Sequence, residues 1–272
     1  MDGSQITTDP TFKKSRLVKA ILPLSIAAVA LCVSLLAPVE AAAPAKISTV
    51  AEAADIVAEA RHQLAILEEL AKNQAAFEQA LKVNGIAQAG GVLACLAQAL
   101  VEHDKIGDVK VAAADLRDAA LAVRNEKNLN AVKGGIAKIE AALNGKAGDA
   151  KKEYSWTKLV NMHRMMEEAN SRYSKLRRTV TNMRRRPERK FDVEEATGHA
   201  VALAVLGLPM YADTHEVKDK KDIPEWQEYS MIYRNSTAEL VKAIKAKNGN
   251  KAYEAWKTAG ESCSKCHEVF RE

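Results

Sequence analysis

Near the C-terminus the chain reads Cys263-Ser264-Lys265-Cys266-His267, followed by Glu268-Val269-Phe270-Arg271. Two thiols three residues apart, with a histidine directly after the second, form the attachment pattern of c-type haem. Each thiol can add across one vinyl group of the porphyrin to give a thioether. The adjacent imidazole then serves as the proximal ligand of the iron. On a helix, positions 263, 266 and 267 lie at i, i+3 and i+4, so all three side chains leave one face. One face can therefore hold a single covalent haem c by its edge and its metal. Two other chemistries compete for these residues. A Cys263–Cys266 disulfide suits an exported protein, and half of a zinc site would need further thiolates or imidazoles at matching spacing. With four cysteines and six histidines in all, the sequence offers no second such cluster.

The elements that must position these residues are helical. The 272 residues carry 40 Lys and Arg against 35 Asp and Glu, a net charge of +5, with 47% hydrophobic and 5% aromatic residues and few prolines or glycines. Such a composition suits a helical protein of about two domains. No long alternation of β-branched residues argues for a sheet.

The first segment is an address. Lys13, Lys14, Arg16 and Lys19 precede an uncharged apolar run from Ala20 to Val39, and Val39-Glu40-Ala41 offers small residues for cleavage. Residues 1–41 therefore read as a signal peptide, or as a membrane anchor if they stay uncleaved. Either reading puts the remainder in the periplasm or an equivalent exported space. Membrane association is expected only in the uncleaved case.

Residues 46–148 carry four amphipathic stripes: Val50 to Leu81, Val92 to Leu100, Val109 to Val123, and Leu129 to Leu143. Gly85 and Gly90-Gly91 loosen the pattern between the first two. Short connections make an antiparallel bundle the economical fold. Cys95 reads as an inert buried thiol, and His62 and His103 lack metal-ligand spacing. Residues 152–272 carry four more stripes. These run from Leu159 to Val180 with Trp156 at the start, from Val193 to a stop at Gly207-Leu208-Pro209, from Trp226 to Ala243 after Pro224, and from Ala252 to Phe270. The last places Cys263 and Cys266 in phase with the core. The expected architecture is all-α, two antiparallel four-helix bundles in tandem. Laying Asp115-Leu116 on Glu239-Leu240 makes the first half a degenerate copy without haem, with His267 falling near Ala142.

The second half resembles the cytochrome c-prime family over nearly all its length. The resemblance rests on the C-terminal haem motif with its following Phe270 and Arg271, the Leu208-Pro209 ending of one helix, and Pro224-Glu225-Trp226 opening the next. It implies a four-helix bundle with haem on the last helix, thioethers at Cys263 and Cys266, a proximal ligand at His267, and Arg271 near the proximal side. It also implies a distal face covered from the first helix of that bundle, by an apolar side chain or, in six-coordinate relatives, a methionine. Met166 is the first choice there and Met162 the second; ordinary core filling is the alternative for both. Family members are often homodimers.

These residues point to a monohaem c-type cytochrome for electron transfer. The alternatives are binding of a small gas such as nitric oxide at an open distal face, and a haem-linked sensor that binds a partner. No distal acid–base pair is apparent, so no enzymatic activity is expected. Where the chain departs from the family, between Thr181 and Lys190, a longer and more basic loop is expected, its charge run comprising Arg177-Arg178 and then Arg184 to Lys190. It is either a solvated face or a docking patch for an acidic redox partner or an anionic membrane surface. Nucleic acid is disfavoured by export.

Overall fold

Short polar side chains start most of the helices. Asn73, Asn128, Asn161, Asp192 and Asn248 each accept a backbone N–H from the first turn that follows, satisfying a donor with no partner inside the helix. The computed structural model describes residues 45–150 and 154–271, so the segment read as a signal or anchor lies outside the described residues. These form nine α-helices and no strand. In chain order they are α1 (Ala53–Leu70), α2 (Gln74–Lys82), α3 (Gly85–Val101), α4 (Ala113–Arg124), α5 (Leu129–Leu143), α6 (Met162–Arg185), α7 (Val193–Ala212), α8 (Ile223–Lys245) and α9 (Gly249–Phe270). The all-α expectation holds. Among the described residues, no single helix is long and apolar enough to cross a membrane.

Several boundaries differ from the sequence reading. The first long stripe is two helices, because Asn73 caps a new one after Ala71. Gly90-Gly91, read as a weak point, lies inside α3 and is buried. A Cβ on Gly90 would come 3.0 Å from Arg124 Cα and 3.1 Å from the Ala120 carbonyl, so this glycine serves close approach of α3 to α4. Trp156 and Leu159 precede α6, which starts at Met162 under the Asn161 cap. α6 runs to Arg185, so only residues 186–192 are left as a loop and Arg184-Arg185 form a last helical turn. Pro187 then forbids continuation. α7 does not stop at Gly207-Leu208-Pro209 but continues to Ala212. Residues 199–210 are buried, and Trp226 Nε1–H donates to the Met210 carbonyl at 2.7 Å, so tertiary packing holds the turn that proline would loosen.

α6 packs on α7, α7 on α8, α8 on α9, and α9 back on α6. The same closed order links α1, α3, α4 and α5. α1 and α3 also pack on α7, and α3 on α6. α3 and α7 are buried on nearly every side and carry the centre of one continuous hydrophobic core. The described residues form one compact unit.

Candidate functional site

Burial decreases along α9 toward its C-terminus. Ala252, Ala259 and Ser262 are buried, Cys263 and Cys266 half-buried, and His267 exposed. The helix thus delivers both thiols and the imidazole to one edge of the core. The thiols are not joined to each other. Burial first, and then the neighbouring Cys266, push the Cys263 thiol up to about 11. Burial and the Glu225 carboxylate do the same for Cys266, also to about 11. Burial, followed by the Arg271 charge, holds His267 below its ordinary value. At neutral pH the trio is two protonated thiols and a neutral imidazole, the form in which histidine binds metal.

Facing this edge is a cavity of about 260 Å³ to which all four helices of the second ring contribute. α6 gives Met166, Ala169, Asn170 and Tyr173, α7 gives Met210, and α8 gives Trp226, Tyr229 and Tyr233. An adjoining groove of about 600 Å³ shares Met166, Asn170, Trp226, Cys266 and His267 and adds Met162, Phe270 and Arg271. All six candidate residues therefore converge. Cys263, Cys266, His267 and Met166 meet in the cavity, while Met162 and Arg271 reach only the groove. Met166 lines both spaces and is half-buried, whereas Met162 is buried and Met165 lines neither. His163 borders the groove but is exposed and pairs with Glu167 at 3.3 Å.

Several polar side chains around the cavity are satisfied internally. Ser230 Oγ donates to the Trp226 carbonyl at 2.9 Å, Ser262 Oγ to Ala259 at 2.8 Å, and Tyr229 Oη to Glu225 at 2.8 Å. The exception is Tyr233, buried, whose hydroxyl has no hydrogen-bond partner. A buried donor of this kind is free to meet an ordered water or a bound group in the cavity. Among the described residues no three of His, Cys, Asp and Glu converge to hold a bare metal ion. One imidazole, two thiols and a thioether around a mainly apolar cavity with four aromatic walls fit a group that brings its own metal ligation, as a porphyrin does.

α8 and α6 supply residues that the sequence placed only on apolar stripes. Tyr229, Tyr233 and Tyr173 were legible as core positions but not as cavity walls. The one further signal was Gly260 in mid-helix, three residues before Cys263. A Cβ there would collide with the Tyr173 hydroxyl. Outside this region, His103 is satisfied by the Ala51 carbonyl and the Lys105 N–H. Cys95 is fully buried, its thiol pushed up to about 12 by burial, as expected of an inert core residue. No known family model matches the chain, and no curated protein or solved structure is significantly similar to it.

Proposed function

We propose that this chain is an exported monohaem c-type cytochrome that transfers electrons. In this reading residues 152–272 are a cytochrome c-prime-like four-helix bundle, and residues 46–148 a haem-free bundle of the same plan in tandem with it. The observation that carries the reading is the meeting of Cys263, Cys266, His267 and Met166 around one mainly apolar cavity. Cys263 and Cys266 would hold haem c covalently, His267 would ligate its iron, Met166 or, as second choice, Met162 would cover the other side, and Arg271 would lie beside the imidazole. Bound haem supplies a one-electron iron couple. The protein's part is to fix the imidazole at the end of α9, to protonate nothing near the iron, and to surround the ring with Trp226, Tyr229 and Met210 so that water is kept away. A methionine ligand would raise the potential and leave the site little changed between redox states. The exported location rests on the N-terminal sequence, and the partner is a redox protein.

A second reading, capture of a small gas such as nitric oxide, is favoured by the open space beside Met166 and by its half-burial, which leaves it room to swing aside. Haem staining of a denaturing gel tests the first step: native protein should stain, and Cys263→Ala with Cys266→Ala should not. An unstained native protein ends the proposal. Spin state then separates the readings. Low-spin ferric iron that becomes high-spin in Met166→Ala is expected for electron transfer, and high-spin ferric iron in the native protein favours gas binding instead.

A further inference from the structure

An aromatic column leads out of the cavity away from His267. The Tyr173 ring, which lines the cavity beside Cys263, stacks on Trp256 with centroids 4.6 Å apart and planes 10° from parallel. Trp256 Nε1–H donates to the Tyr173 carbonyl at 3.1 Å, which fixes the indole against that ring. Tyr253 follows at 5.9 Å from Trp256, and the Arg184 guanidinium carbon lies 3.4 Å from the Tyr253 ring centre. The column therefore ends at a cation that opens the run Arg184, Arg185, Arg186, Arg189 and Lys190, interrupted only by Pro187 and Glu188. From Arg185 onward these side chains are exposed, and Arg177, one turn beyond Tyr173, is exposed as well. Trp256 and Tyr253 are half-buried, so the column surfaces where the charge is concentrated.

The cavity's other aromatic exit has a different character. Trp226 meets Phe270 edge-on at 5.3 Å, and that end carries Arg271 among Glu216, Glu225 and Glu268, a mixed set of charges. The Tyr253 end carries five basic residues between Arg184 and Lys190 against the single Glu188, and such a predominantly positive field steers an acidic protein into contact.

We propose that the surface around Tyr253 and Arg184 is the docking site for an acidic one-electron carrier protein, and that Tyr173, Trp256 and Tyr253 couple that site electronically to the haem cavity. The proposal rests on the cytochrome reading. The step is a single electron transfer: the reduced carrier loses one electron, the ferric haem gains it, no bond is made or broken and no proton moves. The rings act as a medium between donor and acceptor and are not themselves oxidised. Contiguous π contacts provide stronger coupling than a path across side-chain gaps, and the stacked Tyr173–Trp256 pair is its best-aligned link.

The test uses the full haem-loaded chain and a reduced plant-type [2Fe–2S] ferredoxin, a strongly acidic carrier, under anaerobic stopped flow. The bimolecular rate should fall steeply with salt, since exposed charges are screened. Reversal of Arg185, Arg186 and Arg189 to Glu should lower it about tenfold or more at low salt and weaken ferredoxin binding measured calorimetrically. Tyr253→Leu and Trp256→Leu should leave haem absorption and potential unchanged while lowering the rate at saturating ferredoxin, a rate that does not depend on how tightly ferredoxin binds. Tyr253→Leu, at a half-exposed position, keeps the test decisive if Trp256→Leu does not fold. An unchanged rate and salt slope in the charge-reversed protein would overturn the docking site. An unchanged saturating rate in the leucine variants would overturn the route. Binding to phosphatidylglycerol vesicles without binding to ferredoxin would mark the patch as a membrane face and end the proposal. If the chain carries no haem, the cytochrome reading falls separately, and ferredoxin affinity of the native and charge-reversed chains still decides the docking surface.

Discussion

His199 shows how burial turns one residue into a pH sensor of stability. Its Nδ1 lies 3.3 Å from Arg172 Nη1, so the guanidinium donates to an unprotonated ring nitrogen and the neutral imidazole carries its proton on Nε2. That atom is buried and has no hydrogen-bond partner, its nearest carboxylate being Glu195 at 3.7 Å. Burial, followed by the Arg172 charge, pushes the His199 value down from 6.5 to about 4. Because the folded value lies below the unfolded one, the unfolded chain binds the extra proton between these limits. The stabilisation is complete above about pH 6.5 and is lost as pH falls toward 4, on the order of 3 kcal/mol in all. Urea unfolding at pH 7.5 and 4.5 should give a larger loss in the native protein than in His199→Gln; equal losses would refute the assignment. Tyr233 presents a related case. Its unpartnered hydroxyl is a liability while the cavity holds only protein atoms, so Tyr233→Phe should stabilise the haem-free chain by about 1 kcal/mol in urea titration.

The junction of α6 with α9 shows how an element is fixed by its neighbour's backbone. Gly249 opens α9 directly against the end of α6, and a Cβ there would meet the Met183 carbonyl and come 2.6 Å from the Arg184 nitrogen. Backbone atoms cannot turn aside as a side-chain tip can. Gly249→Ala should therefore displace α9 and cost about 2 kcal/mol, more than the roughly 1 kcal/mol expected when Asn248→Ala removes the cap of the same helix. Thermal unfolding of the two variants checks the order, and a harmless Gly249→Ala would show that α9 is not held there. The same logic explains which elements were legible from sequence. α5 and α9 were read nearly to their ends because their stripes and asparagine caps are local signals. Gly90-Gly91 and Gly207-Leu208-Pro209 misled because they report local backbone freedom, while α4 and α8 pressing on those turns decided the outcome. Cys263, Cys266 and His267 needed no tertiary information, since one helical face gathers them. Tyr173 and Trp256 lie 83 residues apart, and nothing local announces that their rings meet.

The two rings of helices are joined by an ionic cluster as well as by apolar packing. Arg172 on α6 is 2% exposed and donates to Glu59 on α1 at 2.7 Å and to Glu168 at 2.6 Å. Glu59, also 2% exposed, accepts from Gln63 at 2.8 Å. A pair so deeply buried is costly to desolvate and is a poor source of net stability, yet removing Glu59 leaves the buried Arg172 charge with only the partly exposed Glu168 carboxylate. Glu59→Ala should thus cost about 3–5 kcal/mol, while replacing both Glu59 and Arg172 by methionine should recover most of that loss. The double replacement separates a buried-charge penalty from the mere loss of a contact, which would leave the double variant no better than the single one. Because α1 and α3 share their core with α6 and α7, the loss should be felt by the whole described unit. Far-UV circular dichroism and tryptophan fluorescence, whose three reporters Trp156, Trp226 and Trp256 all lie beyond residue 150, should then trace one coincident transition in each variant. Two separated transitions, with only the first shifted by Glu59→Ala, would mean that the rings unfold independently and that the cluster joins them without coupling them.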